Sequence, residues 1–486
     1  MSFLFQSGHR VQKVSIVLAL LLSACGGGSG SSSPAASPAT STATTPPAAT
    51  TPPVTTTPPV TTTPPVATTT TITSPMGCGT VKSTYSPSNA VNSTPIVVDG
   101  FPCAAAGTAG VANSPQIPYV SIQICAPGST TNCQIIDHII LDTGSTGLRI
   151  AAKALTALQA GAGLPVVAGT SGATTLTECE QYVSSFVYGP LVYADVYIAG
   201  ESAKNSMIQV FGDSTYPVPA ACSSSGGTET DSIASFGANG LLGIGFASFD
   251  GAPYFNCTNS NPGSCAAINP NSFFGIVSIV QQFGYDRNGV VISLPSVPDA
   301  GATTPVVGTL YFGIATETNN TPASPVLGIK NDGGASSTFG TFAVQVGGTW
   351  YEAYIDSGTP IVYFNDPTDT SLVACTMSTS YYGLFCPATE QNIAFNYADF
   401  GSTTSLVTVT LPVANPALWT ANTIAFNNIA GKSTPKTTLG GTDVAMGLST
   451  FFGHTTYILF AGLNAPATTF VGGSGYSTQG PIIAVD

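Results

Sequence analysis

The sequence predicts an all-β protein built from two related lobes, and three observations carry that expectation. Only 7% of its 486 residues are charged, while Gly, Ser, Thr and Pro are abundant and hydrophobic residues reach 43%. That balance suits a strand-rich, turn-rich globule and argues against a mainly helical one. From about residue 90 onward, short apolar runs alternate with turn residues, and no βαβ rhythm appears. Two segments 214 residues apart also nearly repeat each other: Ile139-Ile140-Leu141-Asp142-Thr143-Gly144-Ser145 and Ala353-Tyr354-Ile355-Asp356-Ser357-Gly358-Thr359. A chain of this length can furnish two lobes with proper cores.

The first 75 residues belong to neither lobe. Arg10 and Lys13 precede the apolar run Val14 to Leu22, too short for a mature membrane span. The run ends in Leu22-Ser23-Ala24-Cys25, followed by Gly26-Gly27-Gly28. This resembles a bacterial lipoprotein signal, residues 1–25, in which Cys25 is acylated and becomes the new N-terminus. Gly26, not being Asp, favours the outer membrane. An ordinary secretory signal with a cysteine near its cleavage site is the alternative. Residues 26–75 are nearly all small or Thr/Pro, with Pro-Pro at 46, 52, 58 and 64. Such a segment buries no core and favours extended polyproline II, a stalk or a disordered tail.

Net charge is −13, from 10 Lys+Arg against 23 Asp+Glu, and no basic cluster exists. Nucleic acid is therefore not an expected partner. Few acid–base pairs stand to be lost on acidification, which is compatible with an acidic setting. Besides Cys25 there are cysteines at 78, 103, 125, 133, 179, 222, 257, 265, 375 and 386, an even number that reads as disulfides in an exported chain. Cys125/Cys133, Cys257/Cys265 and Cys375/Cys386 would close short loops. Cys78/Cys103 and Cys179/Cys222 are the remaining pairing, with connectivity open. The absence of CxxC spacing and the presence of only three histidines speak against a metal site.

Two strand-like runs, 117–124 and 135–141, read as a hairpin across the Cys125/Cys133 loop. Further strand candidates are 185–198, 289–294, 309–314, 341–346, 406–411 and 455–460, and 273–283 is the best short helix. The lobes are expected over 76–318 and 319–486.

The chemistry rests on Asp142 and Asp356. An acid ending a buried strand is costly unless hydrogen-bonded, and neighbouring hydroxyls and turn amides can supply those bonds. Two carboxylates within hydrogen-bond distance do not ionise together easily, so one stays a general acid while the other is a general base. A lone Asp-Thr-Gly is an ordinary turn signal; two copies in matched context are not.

With these residues the chain resembles the pepsin-type aspartic peptidases, over about residues 95–480. In that family a hydrophobic-hydrophobic-Gly element follows each catalytic loop and threads through it. Asn239-Gly240-Leu241-Leu242-Gly243-Ile244-Gly245 and Val444-Ala445-Met446-Gly447 stand in the corresponding places. Residues 309–314 resemble the strand at the lobe junction, and 188–198 the outgoing flap strand, which puts Tyr182 at the flap tyrosine. The resemblance implies a bilobal pepsin-like acid protease fold with the active site between two β lobes. It implies Asp142 and Asp356 as catalytic, Ser145 and Thr359 bonded to their outer oxygens, Thr143 and Ser357 bracing the loops, and Gly144 and Gly358 permitting the turns. No cofactor or metal is implied. The partner is a polypeptide substrate or protein ligand, the chain a monomer, and the membrane is reached through the N-terminal lipid.

Three departures stand out. The family's Trp seven residues past the first aspartate is here Arg149, whose guanidinium could donate to Tyr182. The flap tip Val183-Ser184-Ser185-Phe186 lacks the usual glycines, and only Lys82 lies where zymogens carry a Lys-rich pro-segment. These keep open a second reading, a catalytically inert pepsin-like cell-surface binding or inhibitor protein. A glycosidase fits less well, since its carboxyls stand farther apart and only Trp350 and Trp419 are present for sugar stacking.

Overall fold

A computed structural model of the protein describes residues 92–100, 116–156, 158, 163–170, 172–224, 227–258, 264–269, 275–332, 340–365, 371–376, 383–418, 423–433, 442–472 and 478–486. The signal, Cys25, the stalk, Cys78, Lys82, Cys103 and Trp419 lie outside the described residues. All described residues belong to one compact unit.

The described residues are all-β, as expected, with a 17-stranded and a 7-stranded sheet. Its described α-helices are single turns, Ala220–Ser223 and Ile233–Phe236. Where a helix was expected over 273–283, the described part holds only a 3-10 turn, Val280–Gln282. The buried set Ile276, Ile279, Val280 and Phe283 has helical spacing, yet Val277 forms a β-bridge with Phe249 and Gly275 has φ +85°. Those two constraints hold the segment's start extended. Among the described residues no helix is long and apolar enough to cross a membrane.

A platform of six antiparallel strands joins the two halves. Its order is Ser93–Val98, Val306–Phe312, Gly289–Ser293, Thr455–Leu459, Ile482–Val485 and Val326–Lys330. Strands from both sides of residue 318 thus share one set of hydrogen bonds. The expected hairpin forms from Tyr119–Cys125 and Cys133–Asp142, with Cys125 opposite Cys133 and disulfide-bonded to it. Cys179–Cys222, Cys257–Cys265 and Cys375–Cys386 are also bonded. The second half carries the 7-stranded sheet from Phe342–Val346 to Thr442–Gly447.

Burial explains why the aspartate loops are rigidly placed. The last seven residues of Cys133–Asp142, and all of Thr146–Ala151 and Gly240–Ile244, are buried on both faces. Such strands read as continuous apolar runs instead of alternating ones. One hydrophobic cluster runs from Ile96 through Leu141 and Ile355 to Ile483, so both loops rest on a common core.

Candidate active site

Each aspartate ends a strand paired in parallel with a glycine element. Ile139 to Asp142 lie opposite Gly240 to Gly243, and Ala353 to Asp356 opposite Val444 to Gly447. Asp142 therefore faces Gly243, and Asp356 faces Gly447. The next hydroxyl residues complete the symmetry: Gly245 N donates to Ser145 O at 2.7 Å and Leu448 N to Thr359 O at 2.8 Å. Both glycines are demanded by close approach. A Cβ on Gly243 would lie 2.6 Å from the Ser145 carbonyl carbon, and one on Gly447 2.1 Å from Ile361 O.

The two loops interlock. Thr143 N donates to Ser357 Oγ at 3.1 Å, and Ser357 N to Thr143 Oγ1 at 2.9 Å. Ser357 Oγ also donates to Leu141 O at 2.6 Å. This brings the carboxyls of Asp142 and Asp356 within hydrogen-bonding reach of each other. Gly144 and Gly358 leave room for that meeting: a Cβ on Gly144 would stand 2.9 Å from Asp356 Oδ1, and one on Gly358 2.8 Å from Asp142 Oδ1. Asp142 accepts from Gly144 N at 2.9 Å and from Ser145 Oγ. Asp356 accepts from Thr359 N at 3.0 Å and Thr359 Oγ1 at 2.6 Å. All eight loop residues singled out in the sequence thus meet at one place.

Asp356 is held well above the ordinary carboxylate range, first by burial and then by the charge of Asp142. Bonds from Thr359 oppose that shift and are outweighed. The pair can therefore keep one proton, which lets it deliver and remove protons across a single bound molecule.

Near the first aspartate runs a hairpin of Thr175–Gln181 and Ser185–Ile198, closed by Tyr182 N donating to Ser185 O at 2.7 Å. Tyr182 stands at its tip, with its ring 6.0 Å from that of Phe236. Val183 beside it is 64% exposed. Arg149 does not donate to Tyr182, contrary to expectation. The Tyr182 hydroxyl is buried with no hydrogen-bond partner, and so is Arg149 Nε, while Nη2 is directed at carboxylates. Arg149, fully buried, donates through Nη1 to Thr146 O at 2.8 Å, and its Nη2 contacts Glu178 at 2.5 Å, Asp250 at 2.7 Å and Glu180 at 3.0 Å. The three carboxylates lie within 4.8 Å of one another. Tyr254 Oη donates to Asp250 Oδ1 at 2.5 Å.

Sequence reasoning missed Glu178, Glu180 and Asp250. The signal was Glu178-Cys179-Glu180, two acids on one face of a strand in a chain nearly devoid of charge. It also missed His138, buried on the strand leading to Asp142, which bridges Asp137 and Asp99 at 3.0 Å each. Hydrogen bonds to the two aspartates outweigh the effect of burial and raise its pKa to about 9. Asn239 Nδ2 donates to Asp137 Oδ1 at 3.0 Å, tying the first glycine element to that cluster.

Comparisons with known proteins bear on the whole chain. A family model described as a protein of unknown function, DUF3443, matches residues 88–479. No curated protein matches. Among solved structures, the chain is similar to the aspartic proteinase from Irpex lacteus, with a TM-score of 0.45 and 14% identity, over 81% of this chain and 96% of that one.

Proposed function

The chain belongs to the DUF3443 family, and from the geometry of its own site we propose that it is an aspartic endopeptidase. The observation that carries this reading is the meeting of Asp142 and Asp356 in mirrored, interlocked loops, with one of the pair favoured as proton carrier. A general acid and a general base at a single point suit the addition of water to a peptide carbonyl.

In the proposed reaction a water lies between the carboxyls. The ionised one, Asp142, takes its proton as the oxygen attacks the carbonyl carbon. Asp356 gives its proton to the carbonyl oxygen, forming a neutral gem-diol. Collapse of that intermediate breaks the C–N bond: the proton held by Asp142 passes to the leaving amine, one gem-diol hydroxyl proton returns to Asp356, and acid and amine products leave the pair with its single proton. Ser145 and Thr359 hold the outer oxygens, and Tyr182 closes over the bound chain and excludes water. We also propose export as a lipoprotein anchored through Cys25 to the outer membrane. The signal-like sequence and four disulfides support export.

The test is cleavage of a denatured protein from about pH 3 to about pH 7, with Asp142→Asn, Asp356→Asn and a pepstatin-type inhibitor. Either substitution is expected to lower kcat by at least about 10³-fold, within the span of general acid–base catalysis. Absence of Asp142-dependent cleavage by the folded, disulfide-bonded chain would sink the reading.

A further inference from the structure

Arg149, Glu178, Glu180 and Asp250 form a buried ion cluster beneath the flap that the reaction above does not use. The cluster spans three elements. Arg149 comes from Thr146–Ala151, which follows the Asp142 loop directly. Glu178 and Glu180 come from the flap strand Thr175–Gln181, and Asp250 from the segment after the first glycine element. Side-chain exposure is 0% for Arg149 and Glu178, 3% for Asp250 and 11% for Glu180. The cluster is therefore a tie between the flap and the body of the lobe, with Tyr182 two residues beyond Glu180.

Its charge does not balance. Three carboxylates share one nitrogen of one guanidinium, so full ionisation leaves two negative charges out of water. Buried like charges at this separation cost far more than exposed ones. Among the described residues, the other titratable groups facing the cluster are Tyr254, Tyr182 and Asp142, and none is a cation. Protons on the carboxylates are one way to neutralise it.

We propose that this cluster is a proton-dependent clasp: the flap sits closed over Asp142 and Asp356 only while the three carboxylates retain at least one proton among them. The four residues are positioning residues for the reaction proposed above, on which their catalytic consequence rests. When the last shared proton leaves, Glu178 and Glu180 are repelled from Asp250 and Asp142. The part that moves is the flap end beyond Cys179, because Thr175–Glu178 is paired on its other side with Tyr254–Cys257 and Cys179 is bonded to Cys222. Burial of both glutamates acts in the same sense, favouring their protonated forms.

Glu180→Gln keeps the shape of the side chain and its capacity to accept from Arg149, and removes one charge. The full chain carrying Glu180→Gln, and separately Asp250→Asn from a different element, is compared with wild type in two measurements. The first is the pH profile of kcat/KM. The alkaline limb is expected to move up by roughly one pH unit in both variants, the size of coupling between such groups, while the acid limb stays. Superimposable alkaline limbs would overturn the clasp.

The second is amide hydrogen exchange across residues 179–186, corrected for the intrinsic pH dependence of exchange. Wild-type protection is expected to fall between about pH 5 and about pH 8, and that of Glu180→Gln to hold. Wild-type protection that does not change with pH, or a variant that follows wild type, would overturn it equally. If wild type shows no Asp142-dependent cleavage, the endopeptidase reading falls and exchange alone decides the clasp.

Discussion

The two aspartate loops share one backbone plan and sit in opposite electrostatic surroundings. Seven residues past Asp142 stands Arg149, buried among three carboxylates. Seven residues past Asp356 stands Tyr363, packed with Ile361, Leu384 and Phe426 and so close to Gly431 that a Cβ there would lie 2.5 Å from its ring. Around the carboxyls, hydroxyl for hydroxyl and glycine for glycine, the halves agree. One shell further out, one half is ionic and the other apolar. The meeting of the carboxyls fixes the inner geometry, whereas the outer position only has to fill space and satisfy its own polarity. That puts the buried carboxylates of the outer shell in the first half.

The strongest way to break this comparison is Arg149→Met. It leaves three buried carboxylates without their cation, and a loss of about 3–5 kcal/mol is expected near neutral pH. Tyr363→Phe should cost under about 1.5 kcal/mol, as volume-conserving changes do. Chemical denaturation of both variants checks the contrast, and equal losses would refute it. The pH dependence has a definite sign. Glu178 and Glu180 have raised values in the folded chain, so they hold protons that the unfolded chain has released at the same pH. That stability is full in acid and is lost as pH rises through the folded value, about 7 for Glu180. Wild-type Tm should therefore fall between about pH 5 and about pH 8, and fall less in Glu180→Gln. Loss at neutral pH from Arg149→Met should likewise shrink in acid.

The glycine elements give the next largest effect, and here the halves should agree. A methyl at Gly243 or Gly447 meets backbone, which does not swing aside as a side chain does. Each alanine substitution should cost about 3 kcal/mol, the upper end of ordinary overpacking. The nearer contact, 2.1 Å against 2.6 Å, makes Gly447 the more damaging site. A tolerated Gly447→Ala, judged by an unchanged denaturation midpoint, would mean the element does not thread the loop as described.

What was legible in the sequence follows this division between inner and outer parts. The aspartate loops, glycine elements, flap and the three short-range disulfides are carried by contiguous patterns: an apolar run, a turn, a nearby cysteine. Cys179–Cys222, 43 residues apart, is decided only once the fold joins it. Tyr182 could be placed at the hairpin tip by counting along a strand. The partners of Arg149 could not, because Glu178 and Asp250 lie 29 and 101 residues away in sequence and only the sheet brings them together. The bond allowed between Arg149 and Tyr182 is not formed: Nη2 is directed at the carboxylates, which a guanidinium prefers to a phenol, and Nε and the Tyr182 hydroxyl each stay without a partner. His138 was hidden likewise, since Asp99 is 39 residues upstream. The helix expected over 273–283 shows the converse error. Its apolar spacing was real, and a β-bridge from Phe249 overrode it.

The smallest expected effect sharpens the comparison where the halves look most alike. Thr143 and Ser357 exchange hydrogen bonds across the interlock, but their hydroxyls do unequal work. Ser357 Oγ accepts from Thr143 N and also donates to Leu141 O, the carbonyl just before Asp142. Ser357→Ala therefore leaves a buried donor and a buried acceptor unsatisfied, while Thr143→Val leaves the Ser357 amide alone without its partner. Each such orphan costs about 1–3 kcal/mol. The serine substitution should then be the more destabilising by about 1 kcal/mol, and its effect should reach Asp142 through Leu141. The double substitution should cost less than the sum, because the two hydroxyls belong to one network. Strict additivity, measured by denaturation of the four chains, would mean that the loops hold their places without bracing each other.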